Sequence, residues 1–146
     1  MGRRHRSREM AVQVLYQADM TGSTMREAFQ SFCEHFGPPE DLRVFARELV
    51  EGVQDHLEKI DALIEEGSEH WRLTRMSAVD RNVLRLAVFE LLHRPDIPSK
   101  VTINEAVELG KKFGSEDSGG FINGILDRIR AQLETGGQSC EPVDWS

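Results

Sequence analysis

Cysteine is nearly absent: the chain holds only Cys33 and Cys140, with no C-x-x-C pair. Two such thiols make no disulfide framework, and a reducing cytoplasm is the expected setting. Cys33 lies on a helical apolar stripe and reads as a small buried hydrophobe. Cys140 falls in a polar tail. No apolar run approaches the ~20 residues of a membrane-spanning helix. The N-terminal arginines are followed by no apolar stretch long enough for a signal peptide. Neither a membrane nor export is expected.

Catalytic and metal signals are missing as well. The five histidines, His5, His35, His56, His70 and His93, include no H-x-x-x-H pair. Cys33 and His35 are two apart, so a helix points them to different faces, and no zinc spacing occurs. There is no G-x-S-x-G and no nucleophile with a recognisable base. Carboxylates such as Glu65, Glu66 and Glu69 read as solvated helix faces. No catalytic residue, metal or cofactor is therefore expected. The stretch Gly114-Ser115-Glu116-Asp117-Ser118-Gly119-Gly120 precedes a helix but lacks the G-K-[ST] ending of a nucleotide loop. Two readings of it stay open: backbone N–H groups offered to a phosphate oxygen, and plain capping by Asp117 or Ser118.

Strand-length alternation is also lacking, and what is present has helical period. Hydrophobic residues at 39% and charged residues at 29% suit one soluble domain with a core of its own. Ala11, Val14, Leu15 and Ala18 share a face of a first helix. Met25, Ala28, Phe29, Phe32, Cys33 and Phe36 mark a second, stopped by Gly37-Pro38-Pro39. Leu42, Phe45, Ala46, Leu49, Val53, Leu57, Ile60 and Ile64 predict one long helix ending near Gly67, bent at Gly52. A loop holding Trp71 follows. Ser77 is the expected N-cap of a helix over 79–93, apolar almost all round and therefore central. Arg81 and Arg85 form its one polar stripe. Pro95 and Pro98 bracket a connector. Thr102-Ile103-Asn104-Glu105 reads as a capping box, opening a helix with Ile103, Ala106, Val107 and Gly110 inward. The last helix turns Ile122, Ile125, Leu126, Ile129 and Leu133 inward and ends at Gly136-Gly137. The expected fold is all-α, a single domain of about six or seven helices in two packed sub-bundles. The domain spans 1–135, with halves at about 1–67 and 77–135, and 136–146 is expected to be a flexible tail.

Net charge is negative outside one place. The formal net charge is −7, yet residues 1–8 carry Arg3, Arg4, Arg6 and Arg8 and no acid, so residues 9–146 carry −11. A basic end on an acidic body reads as a local phosphate contact, because the body repels a polyanion. The plainer reading is a solvated tail. Arg4 and Arg8 are four apart and can share a helix face. Tyr16 follows near that face, either as core packing or as a ring for an unpaired base. Phe121 sits about 100° from Ile122 around the last helix. It is either a boundary core residue or a stacking ring beside the Asp117-Ser118 turn.

The stretch from Asp80 to Ile129, DRNVLRLAVFELLHRPDIPSKVTINEAVELGKKFGSEDSGGFINGILDRI, resembles the signature half of the NusB family of bacterial transcription antitermination factors. The start, RRHRSREMAVQVLYQADM, resembles the family's arginine-rich first helix. The middle, about residues 20–76, matches only in helical pattern. The combination of V-x-x-N-E-A-[VI]-E-L, F-G-x-E-D-S and F-[IV]-N-G-[IV]-L-D at these spacings is highly specific. The resemblance implies an all-helical fold of two small bundles and no enzymatic activity. It implies binding to boxA single-stranded RNA in nascent ribosomal transcripts together with NusE, a ribosomal protein, on the way to an RNA polymerase antitermination complex. Carried over by motif, the RNA side comprises Arg3, Arg4, Arg6, Arg8, Tyr16, Asp117, Ser118, Phe121 and Asn123. Gly119-Gly120 stands where some relatives have basic or polar side chains, which leaves backbone contacts there. Two alternatives follow from the same resemblance. One is the RNA-targeting helical module fused to RNA cytosine methyltransferases, which predicts a long catalytic extension, whereas this chain stops at Ser146. The other is a self-associating storage form, a homodimer.

Overall fold

The computed structural model describes residues 2–69 and 71–139. Among these residues are seven α-helices, one 3-10 turn and no strand. In chain order they are α1 (Arg3–Thr21), α2 (Met25–Phe36), α3 (Glu40–Asp55), α4 (Leu57–Gly67), the 3-10 turn Leu73–Arg75, α5 (Ala78–His93), α6 (Ser99–Phe113) and α7 (Ser118–Ser139). The all-α class is as expected. His70, Cys140 and the rest of the expected tail beyond residue 139 lie outside the described residues.

Helix α5 organises the packing. Ser77 caps it as the sequence predicts, its Oγ accepting the Asp80 N–H at 3.1 Å. Val83, Leu84, Leu86, Ala87, Val88 and Phe89 are all buried, each large apolar side chain stabilising by about 1.5–3 kcal/mol relative to exposure. The helix touches α1, α3, α4, α6 and α7. Helices α1, α2 and α3 pack on one another, as do α6 and α7.

Five local readings are corrected. The long helix over 42–64 is two helices. His56 leaves helical geometry at φ −121° and ψ 25°, and its N–H is shared between the carbonyls of Gly52 and Val53 at 3.1 and 3.3 Å. This break lets α4 turn away from α3 and pack on α5 and α7. Gly52 is not the bend. A Cβ there would lie 2.2 Å from Phe89 Cε1, so glycine is what allows α5 to approach the α3 backbone.

The capping box at Thr102 is not formed. Helix α6 starts a turn earlier, with the Pro98 carbonyl accepting from Val101 and Thr102 N–H, and Thr102 is buried at the end of its first turn. Phe36, expected inward, is 65% exposed. Its ring packs against Phe32 at 4.6 Å and His35 at 4.7 Å, so the last turn of α2 packs on itself. Finally, α7 continues through Gly136-Gly137 to Ser139. Glycine weakens a helix by about 1 kcal/mol but, unlike proline, still donates its backbone hydrogen bond.

Candidate nucleic-acid interface

The arginine-rich end is the first turn and a half of α1. Arg4 and Arg8 do share a face, and that face lies over the Phe45 ring of α3. Their Cζ atoms stand 4.6 and 5.6 Å from the ring centroid, and Arg94 approaches the same ring at 5.3 Å. The two arginines differ in everything else. Arg8 is 4% exposed. Its Nε donates to Glu90 Oε2 at 2.7 Å and its Nη2 to Glu90 Oε1 at 2.9 Å. Glu90, 2% exposed in the middle of α5, also accepts from the Thr102 hydroxyl at 3.0 Å. Arg8, expected on the RNA side, is thus placed in a buried ion pair joining α1, α5 and α6. A phosphate could reach it only by breaking a buried pair, at a cost of about 3–5 kcal/mol.

Arg3, Arg4 and Arg6 are exposed. Arg3 pairs with Asp41 at the start of α3. Arg4 and Arg6 meet no carboxylate at ion-pair distance among the described residues. His5 Nδ1 lies 2.7 Å from Glu105 Oε1, and Lys112 Nζ donates to Glu9 Oε2 at 2.8 Å. These contacts tie the arginine-bearing turns of α1 to α6, from whose end the Gly114–Asp117 loop departs.

Tyr16 is 40% exposed, which removes the core-packing reading. One turn on, Asp19 is a junction of α1, α4 and α5. It accepts from Arg81 Nε at 2.8 Å and Asn82 Nδ2 at 2.9 Å. Arg85 reaches Asp19 at 3.4 Å and grips Asp61 through two bonds of 2.9 and 3.0 Å. Burial pushes the Asp19 carboxyl up, but the hydrogen bonds from Arg81 and Asn82 and the two arginine charges outweigh it, and its pKa falls below the ordinary aspartate value.

In the second region, the turn before α7 is held by its own serines. Ser118 is 1% exposed, and its Oγ accepts the Ser115 N–H at 3.0 Å. Ser115 Oγ in turn accepts the Asp117 N–H at 3.4 Å. Ser118, expected on the RNA side, is therefore buried and shapes the turn, while Asp117 and Asn123 are exposed. Gly119 is covered by the stem of Lys111, whose carbons would lie 3.3 Å from a Cβ at that position. Lys111 thereby brings a cation to a turn that has no basic side chain of its own. Phe121 is half-buried, its ring 6.2 Å from that of Trp71 at 71°. Neither of the two readings for Phe121 described this edge-to-face pair.

Sequence reasoning missed Glu90, Phe45 and Trp71. A lone glutamate inside an otherwise apolar central helix was a usable signal, since a buried carboxylate needs cations and donors around it. No comparable signal marked Phe45 or Trp71. Elsewhere, Cys33 is half-buried and burial pushes its thiol up despite Arg43 and Arg47 nearby, the opposite of an activated nucleophile. Among the described residues no three His, Cys, Asp or Glu side chains are placed to hold a metal ion.

A seven-helix bundle around one apolar helix, with arginines projecting from the start of α1, defines the class: small all-helical proteins of the NusB type. The NusB family model matches residues 5–131, and the chain belongs to the NusB family. It is 56% identical over 137 residues to the transcription antitermination protein NusB of Myxococcus xanthus, covering 91% of this chain and 98% of that protein. The structure is similar to that of T. maritima NusB, with a TM-score of 0.82 and 39% identity over 90% of this chain and 92% of the other. It is similar as well to a chain in the crystal structure of antitermination factors NusB and NusE in complex with dsRNA, with a TM-score of 0.81 and 32% identity over 90% and 98% of the two chains.

Proposed function

We propose that this protein is a transcription antitermination factor that binds boxA single-stranded RNA together with NusE and helps assemble the antitermination complex on RNA polymerase in the cytoplasm. The observation that carries the RNA reading is the exposed Arg3-Arg4-Arg6 cluster on a body of opposite charge. Tyr16, exposed on the same helix, and the Asp117–Asn123 segment extend the surface. Phosphate contacts from the arginines position the strand, and base contacts by the aromatic rings supply sequence choice. The acidic remainder offers little phosphate-friendly area, so NusE completes the platform. Linkage then requires that RNA tighten the pair with NusE by the same factor by which NusE tightens RNA binding. Among the described residues no helix is long and apolar enough to cross a membrane.

The test is a salt titration of labelled boxA RNA with and without NusE. Three arginine contacts to a single strand give a log–log slope of about −2, from roughly −0.7 per contact. Changing Arg3, Arg4 and Arg6 together to alanine leaves Arg8 and the fold in place and should flatten that slope for all RNAs. An unchanged slope in this variant would show that the basic end does not touch RNA.

A further inference from the structure

Residues 67–69 and 71–76, at the end of α4 and around the 3-10 turn, carry the exposed Trp71 and are joined to neighbouring elements by several hydrogen bonds. Ser68 Oγ donates to the carbonyls of Glu65 and Trp71, each at 3.1 Å. The Leu73 N–H reaches Glu65 Oε2 at 3.3 Å. Arg81 Nη1 donates to the carbonyls of Leu73 and Met76, and Arg128 Nε donates to that of Gly67 at 2.6 Å. Leu73 and Met76 are buried. Trp71 is 54% exposed, its ring held edge-on to Phe121.

Arg72 and Arg75 flank the indole, both exposed, and the three side chains line an open depression of about 320 Å³. Neither guanidinium meets a carboxylate among the described residues. They share this with Arg4, Arg6, Arg43, Arg47 and Arg128, whereas Arg3, Arg8, Arg26, Arg81, Arg85, Arg94 and Arg130 each have one. Two arginines without counter-ions on an acidic protein attract an anion. An aromatic face between them suits a ligand that is both planar and anionic, and that ligand is an unpaired base with its flanking phosphates.

We propose that Trp71, Arg72 and Arg75 form a second single-stranded RNA subsite, continuous with Phe121, in which one base stacks on the indole and the two arginines hold the phosphates on either side of it. The assignment rests on the RNA-binding reading above. The edge-on contact with Phe121 and the hydrogen bonds around it hold the ring facing outward, which lowers the ordering cost of stacking.

The experiment uses the full chain with Trp145→Phe, which leaves Trp71 as the single tryptophan of the two in the sequence. boxA-containing RNA is titrated in the presence of NusE. Trp71 emission should be quenched along the same curve that labelled RNA reports. Trp71→Ala should weaken RNA binding roughly tenfold to a hundredfold, and Trp71→Tyr should recover most of it. Arg72→Gln with Arg75→Gln should reduce the salt slope by about 1.4, for two contacts. Melting temperatures of all four variants should stay near that of the parent chain. If Trp71→Ala binds RNA like the parent, the subsite is overturned while the proposed function stands. If it loses NusE binding measured without RNA and keeps direct RNA affinity, the ring belongs to a protein contact, and the subsite is again overturned. If the parent chain binds no RNA even with NusE, both readings fall.

Discussion

Along the seam between α1 and α5, Arg8, Arg81 and Arg85 each sit in a carboxylate's grip, with side chains 5, 14 and 11% exposed. On the outer surface Arg4, Arg6, Arg72 and Arg75 are exposed and have no carboxylate within ion-pair distance among the described residues. The residue type is the same and so is the helical spacing: Arg4 and Arg8 are one turn apart, as are Arg81 and Arg85. What separates the two sets is the element that lies across from them. Glu90 on α5 takes Arg8, and Asp19 on α1 and Asp61 on α4 take Arg81 and Arg85. The inner set holds the helices in register, and the outer set faces solvent. Counting arginines in a sequence merges these two populations.

The largest expected effect falls on the seam. Glu90→Ala strands the Arg8 guanidinium and the Thr102 hydroxyl in the interior, and should cost about 3–5 kcal/mol of stability by urea unfolding. RNA affinity of the folded fraction should be unchanged. A loss of RNA affinity at unchanged stability would erase the distinction between inner and outer arginines.

Gly52→Ala comes next. The new methyl meets the buried Phe89 ring at 2.2 Å, and overpacking of this kind costs about 1–3 kcal/mol. That exceeds the gain of up to ~1 kcal/mol in helix propensity. Thermal melts should show a lower midpoint, and a higher one would mean that α3 and α5 slide apart freely.

Acidification should act where the end of α5 meets the junction of α3 and α4. His93 closes α5 with its ring stacked on His56 at 4.2 Å, and its Nε2 is buried with no hydrogen-bond partner among the described residues. Burial, then the charges of His56 and Lys59, push its pKa below the ordinary histidine value of 6.5. The unfolded chain therefore binds more protons here than the folded one as pH drops through that value. The contribution of neutral His93 is complete above about pH 6.5 and is lost as pH falls below it. Unfolding followed between pH 7 and 5 should show this decline, and His93→Phe should flatten it.

The smallest effect on stability is expected outside. Arg4→Ala or Arg6→Ala should change unfolding free energy by no more than about 0.5 kcal/mol, and each should reduce the salt slope of RNA binding by roughly 0.7. A destabilisation of several kcal/mol by either change would place these arginines with the inner set.

Most of the helical framework was legible because burial on one side of a helix imposes a 3.6-residue period. The span of α2, the Ser77 cap and the central place of α5 all follow from that period and from capping chemistry. The errors have a common physical origin. Thr102 looks like a cap by local rules, but its hydroxyl is claimed by Glu90, twelve residues away in sequence. The apolar period runs unbroken across His56, because two helices that bury the same side keep the same stripe through a break. Arg8 carries the same charge as Arg4, and only the tertiary position of Glu90 decides which of them is available. Periodicity reports which face points inward and is silent about what waits there. The aromatic contact between Trp71 and Phe121 joins residues fifty apart, and nothing local to either position announces it.

The Phe45 ring has a kinetic consequence. Arg4 leans on the same ring as Arg8, and Arg8 is fixed by Glu90. The first turn of α1 is thus steadied by the core a turn further on, and Arg4 is oriented when the chain folds. An incoming strand meets a surface already set. Its association should run as a single phase whose rate falls with ionic strength, with no slower step in which the helix end winds up around the bound RNA.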